Sequence, residues 1–266
     1  MEKTKLKIGI IGGGNMGSAI LSGIVRKYSV FVCEKEQKKA QALKRKFGIK
    51  LLNLREIVQH AQMIILAVKP QDFDSVLKEL RGYVTFNKLV VSIAAGISCQ
   101  YIEKRLGAKI RVVRTMPNLA AKVGEAMTAI CRGHKATNSD LDAASHIFGS
   151  IGKTVVVEEK FIDTITAVSG SGPAYVFLFV ECLNKAAKSL GLKEHLAKEL
   201  VLQTLKGSLK LLEETKEDAS SLRVKVTSKK GTTQAAIDVF FKNKIDKIFT
   251  QALKSAQKRA KELSKS

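Results

Sequence analysis

The stretch KIGIIGGGNMGSAILSGIV, residues 7–25, decides the fold. Its first five residues are an Ile-rich run of the kind that forms a buried parallel strand. Gly12 to Gly17 follow at once with GxGxxG spacing, and Ser18 to Val25 has helical periodicity. Strand, tight glycine turn and helix in this order form the opening unit of a dinucleotide-binding sheet. Gly12 permits the turn, Gly14 lets the backbone approach a pyrophosphate, and Gly17 lets the helix pack on the strand. The amides of Asn15 and Met16 open that helix, whose positive end suits phosphate.

Working outward, Glu34 follows Gly12 by 22 residues at the end of a second strand. That is near the ~20 at which a carboxylate meets the adenosine ribose. Glu34 would repel a 2′-phosphate and argues for NAD, whereas Lys35, Lys38 and Lys39 would attract one, so the residues leave NADP and NAD both open. Ala67-Val68-Lys69-Pro70 ends another buried strand, and loops at carboxyl strand ends line the crevice of such sheets. This loop is expected beside the nicotinamide, with Asn53 and Lys69 as polar contacts.

Strand-like runs at 5–11, 30–33, 63–68, 89–92 and 110–114 alternate with helical ones at 16–26, 37–47, 73–80 and 98–106. Alternation implies βαβ units and a mostly parallel sheet. Two later strands, at 126–131 and 154–157, bracket a helix at 139–148. After 160 the strand signal stops, and helices are expected at 161–168, 173–190, 195–212, 221–226, 232–241 and 244–263. The expected architecture is an α/β Rossmann-like domain over 1–160 followed by an all-α domain over 161–266. The helical part would bundle alone or pair with a second copy.

Composition bounds the rest. A 45% hydrophobic fraction excludes disorder. The apolar run at 174–180 falls short of the ~20 residues that span a bilayer, so no membrane is expected. Cys33, Cys99, Cys131 and Cys182, and His60, His134, His146 and His195, show no metal-ligand spacing. Free thiols in a reducing compartment fit a cytoplasmic protein without a metal. The net charge of +22 is spread along the chain and mixed with Glu and Asp, and aromatics are only 6%. That excludes a dedicated nucleic-acid reader and leaves weak binding to polyanions.

Three further segments suit a small anion. RTMPN, Arg114 to Asn118, closes a strand; SGSGP, Ser169 to Pro173, opens an apolar helix whose Ala174 and Tyr175 amides would cradle a carboxylate; VTSKKGTT, Val226 to Thr233, precedes another helix. With GGGNMG (12–17), AVKP (67–70), SIAAG (92–96), SGSGPAY (169–175) and the VTS-x-x-GTT-x-x-AI pattern (226–237), the chain resembles the pyrroline-5-carboxylate reductases over essentially its full length.

The resemblance implies reduction of 1-pyrroline-5-carboxylate to L-proline by NADPH or NADH, the last step of proline biosynthesis. NADP is the expected cofactor, with NAD as the second possibility. It also implies a helical domain that interlocks in a homodimer, with decamers as a higher assembly. The substrate carboxylate would meet Ser228, Gly231, Thr232 and the Ser171–Gly172 turn, and the Thr233 hydroxyl would contact the ring nitrogen as the catalytic contact. One departure stands out: Lys229-Lys230 occupies the family's Pro-Gly. Lys230 would either obstruct the substrate carboxylate or strengthen its binding. Two other readings are a non-catalytic NAD(P)-sensing protein and a β-hydroxyacid dehydrogenase. The latter is disfavoured because its lysine is missing from the start of the helix after 173, where the first lysine is Lys185.

Overall fold

The computed structural model describes residues 6–263. Lys5, at the start of the expected first strand, and residues 264–266, at the end of the expected helical domain, lie outside the described residues. Eight strands form one sheet: β1 Lys7–Ile11, β2 Ser29–Cys33, β3 Lys50–Leu51, β4 Met63–Leu66, β5 Leu89–Ser92, β6 Arg111–Met116, β7 Ala126–Arg132 and β8 Gly152–Val156. Their order is β3-β2-β1-β4-β5-β6-β7-β8. Every pairing is parallel except β6 with β7. The first six strands therefore have the 3-2-1-4-5-6 order of a dinucleotide-binding sheet, and the direction of winding reverses between β1 and β4.

The alternating pleat divides each inner strand between two cores. Met63 and Ile65 face the side packed with Ile20 and Ile24 of α1 (Asn15–Ile24) and Phe148 of α6 (Asn138–Phe148). Ile64 and Leu66 face the side packed with Ile57 of α3 (Leu54–His60), Phe73 and Leu77 of α4 (Pro70–Leu80) and Ile102 of α5 (Cys99–Leu106). Each of these side chains is at most 2% exposed, a burial that stabilises by about 1.5–3 kcal/mol apiece. The remaining helix of this part, α2 (Gln37–Phe47), ends at Gly48 with φ 65°, a left-handed position that glycine supplies without strain.

The expected elements at 1–160 are present within a few residues, but the sequence reading passes over β3 and α3. Two residues of strand leave no readable alternation. The seven residues of α3 are signalled instead by a capping box, with the Asn53 side chain accepting from the Glu56 amide and the Glu56 carboxylate accepting from the Asn53 amide.

The later helices are α7 (Ile162–Ile165), α8 (Gly172–Ser189), α9 (Glu194–Thr215), α10 (Ala219–Lys225), α11 (Thr232–Lys242) and α12 (Ile245–Leu263). A π-helical turn, Thr166–Gly170, joins α7 to α8. The chain forms two compact units, one of residues 1–173 with 256–266 and one of 174–255. The boundary expected at 160 marks only the end of strand structure. Ile162 is fully buried in the sheet's core and Ala167 is 2% exposed, so the first helical turns belong to the sheet unit. The end of α12 returns to it as well: Gln257 donates to the Thr164 hydroxyl, and Leu263 lies where a Cβ on Gly96 would reach.

Because α7, the π turn and α8 run on as one helical segment, Glu159–Ser189 is long and apolar enough to cross a membrane by length and composition. The run at 174–180 alone does not show this. In the second unit Phe177, Phe179, Leu200, Leu209 and Phe241 are all exposed on the single chain.

Candidate dinucleotide site and substrate turn

The carboxyl end of β1 leads into the glycine turn. Gly12 has φ 100°, and its amide donates to the Cys33 carbonyl at 2.8 Å. A Cβ there would stand 2.6 Å from the Ala67 carbonyl oxygen, so the turn can lie against the Ala67-Val68 loop only as glycine. A Cβ on Gly17 would come within 2.0 Å of the Gly12 carbonyl oxygen, which explains the close helix packing. Around Gly14 nothing lies within 4 Å of a Cβ position, and the residue is exposed. That open space at the start of α1 is where the fold offers backbone to a pyrophosphate.

A cavity of about 540 Å³ opens beside it, bordered by Gly12, Gly14, Glu34, Lys35, Ala67, Val68 and Lys69 among the expected cofactor residues. The other five expected residues do not border it. Gly17 is buried beneath the turn, Met16 packs against the hydrophobic core, and Asn15 is exposed as the first residue of α1. Asn53 is committed to capping α3, and Pro70 is the first residue of α4. Sequence reading missed Asp72, Ser75 and Glu79, which reach the cavity from α4. Their spacing along one helix was the available signal. The Cys33 thiol on the same wall is pushed up to about 11, first by burial and then by the charges of Glu79 and Glu34. A larger open depression, about 780 Å³ beside Cys99, Glu103 and His134, carries none of the nucleotide motif.

RTMPN and SGSGP come together in the first unit. The Asn118 side-chain Nδ2 donates to the Ser169 carbonyl at 3.2 Å, and a Cβ on Gly170 would meet Met116. Arg114 is not available to a substrate anion: it is 3% exposed, with Nη1 3.2 Å from Glu159 and Nη2 3.2 Å from Asp163. SGSGP does open α8, but directly behind a π turn. The Ser171 amide donates to the Thr166 carbonyl at 2.8 Å, closing the π turn before α8 starts at Gly172. Such turns recur at functional sites because they widen the helix locally.

In the second unit, the Gly231 amide donates to the Ser228 carbonyl at 2.9 Å, closing a four-residue turn onto α11. Lys230, third in that turn, has φ 62°. A turn with positive φ at its third residue favours Pro-Gly in the middle. Lys229-Lys230 stands there instead, with a non-glycine residue in the left-handed region at a cost of about 1–2 kcal/mol. Thr232 and Thr233 are the first two residues of α11, and Ser228 is exposed.

Residues 159–263 match the family model described as pyrroline-5-carboxylate reductase dimerisation, and residues 7–96 match NADP oxidoreductase coenzyme F420-dependent. A curated pyrroline-5-carboxylate reductase of Methanosarcina acetivorans is 39% identical over 97% of this chain and 98% of its own length. A solved pyrroline-5-carboxylate reductase from Coxiella burnetii aligns with TM-score 0.91 and 36% identity over 99% of this chain and all of that one. A Plasmodium falciparum pyrroline carboxylate reductase solved with NADP bound aligns with TM-score 0.88 and 31% identity, over 98% and 99% of the two chains. Full-length relatives of this kind favour a reductase over a non-catalytic sensor or a β-hydroxyacid dehydrogenase. With the glycine cradle, the cavity beside it and the Ser228–Thr233 turn all in place, the chain belongs to the pyrroline-5-carboxylate reductase family of NAD(P)H-dependent oxidoreductases.

Proposed function

We propose that this chain reduces 1-pyrroline-5-carboxylate to L-proline with NADPH or NADH, and that the residues named above divide the work. The open cradle at Gly14, where a side chain would fill the pyrophosphate position, is the observation that supports dinucleotide binding. Gly12, Gly14, Asn15 and Met16 hold the pyrophosphate, Gly17 keeps α1 against the turn, and Glu34 and Lys35 meet the adenosine ribose. Ala67, Val68, Lys69 and Pro70 flank the nicotinamide, while Asn53 acts from behind by fixing α3. When bound, the dinucleotide supplies a hydride to the imine carbon.

The ring acid is held by the hydroxyls and amides of Ser228, Gly231, Thr232 and Thr233, with the Ser171–Gly172 turn as a further contact. Among the described residues no Ser-His-Asp arrangement is needed for this chemistry. A ring that arrives protonated on nitrogen already has an electrophilic carbon, so the protein positions rather than ionises. The Thr233 hydroxyl accepts from that nitrogen. Thr233→Ala is therefore expected to lower kcat about 10- to 100-fold, the worth of one hydrogen bond to a charged group, with an unchanged unfolding curve. Wild-type kinetics in the variant would remove Thr233 from this role.

The family's dimerisation domain supplies the partner for the exposed faces of α8, α9 and α11: a second copy rather than lipid or nucleic acid. A homodimer, a decamer built from it and a cytoplasmic location complete the proposal.

A further inference from the structure

The adenosine end of the cavity distinguishes the two nicotinamide dinucleotides, an inference that rests on the dinucleotide reading above. NADP differs from NAD by a phosphate on the ribose 2′-oxygen, which brings negative charge and only acceptor oxygens. At the end of β2, where the ribose diol belongs in this sheet, stands Glu34. Its carboxylate is fixed from two sides: Oε2 accepts from the Gly13 amide at 2.7 Å and Oε1 from the Glu36 amide at 2.9 Å. Each oxygen keeps a lone pair that can accept from a ribose hydroxyl. A 2′-phosphate in the same place has no proton to offer and meets a like charge that cannot turn away.

Two of the three neighbouring lysines are paired, and the third, Lys38, does not border the cavity. Lys35 Nζ lies 3.0 Å from Asp72 Oδ1, and Lys39 Nζ lies 2.6 Å from Glu36 Oε2. Both carboxylates border the same cavity, as does Glu79.

We propose that this chain prefers NADH to NADPH, with Glu34 as the selecting residue and Asp72 and Glu36 withholding Lys35 and Lys39 from a 2′-phosphate. The exposed lysine pairs are screened by solvent, so the preference is set mainly by Glu34. One repelled charge at this range is worth about tenfold or more in affinity.

Calorimetric titration of the full chain with NADH, NADPH, 5′-AMP and 2′,5′-ADP at fixed salt reads this directly. NADH is expected to bind at least about tenfold tighter than NADPH, and 5′-AMP tighter than 2′,5′-ADP. Glu34→Gln keeps an acceptor for the Gly13 amide and removes the charge, so NADPH affinity should rise about tenfold. Asp72→Asn leaves the glycine turn untouched, frees Lys35 and should raise NADPH affinity by a smaller factor, about threefold, with NADH unmoved. Equal or tighter NADPH binding by the wild type, or a ratio that neither variant changes, overturns the proposal. Failure of both dinucleotides to bind a folded chain instead overturns the dinucleotide reading beneath it.

Discussion

Gly14→Val is expected to abolish dinucleotide binding without unfolding the protein. Gly14 has φ −65° and ψ −165°, extended backbone that any residue adopts, and its Cβ position is empty to 4 Å. The folded chain therefore accommodates the side chain. A bound pyrophosphate does not, because the added methyl groups stand between it and the amides that open α1. Losing two hydrogen bonds to a charged group costs about 3–6 kcal/mol, which lowers affinity by at least about 100-fold. Nicotinamide fluorescence measures the affinity and thermal unfolding checks the fold. Wild-type affinity in this variant would mean that the phosphates lie elsewhere.

Arg114→Leu should produce a large loss of stability. The guanidinium is 3% exposed and bridges Glu159, which also accepts from the Cys99 amide at 2.8 Å, to Asp163. Removing it takes a buried cation away from two carboxylates, one beside the start of α5 and one in α7. Breaking a fully buried pair costs about 3–5 kcal/mol, and the partial exposure of Glu159 and Asp163 lowers this to about 2–4 kcal/mol. Urea unfolding should show a lower midpoint at an unchanged slope. Adding Glu159→Gln should return part of the loss, since it removes one of the two charges that the guanidinium offset. A midpoint within error of the wild type would show that the bridge contributes nothing.

The sheet was readable because its strands are continuous Ile- and Val-rich runs, such as 63–66 and 89–92, buried on both faces. The glycine turn was readable because each glycine answers a steric demand, including Gly17 against the Gly12 carbonyl. What stayed hidden depends on partners distant in sequence. Arg114 opens a segment that suits a small anion, but in the fold Glu159 and Asp163 take its guanidinium. The Ser169–Pro173 segment opens α8 as its sequence suggests, but the π turn in front of it, closed through the Thr166 carbonyl, gives no local signal. The wall of Asp72, Ser75 and Glu79 lies on a helix that reads as surface. Lys230 reads as a departure from its family, and only the fold shows its positive φ, in a turn of the kind that favours Pro-Gly.

The most direct measurement is a coupled one: purified chain, 1-pyrroline-5-carboxylate and NADH, with nucleotide oxidation followed by absorbance and L-proline quantified in the same vessel. One L-proline per nucleotide oxidised is the expected result, with NADPH giving the same product at a higher KM. Tight nucleotide binding with no oxidation and no proline would contradict the proposed reaction.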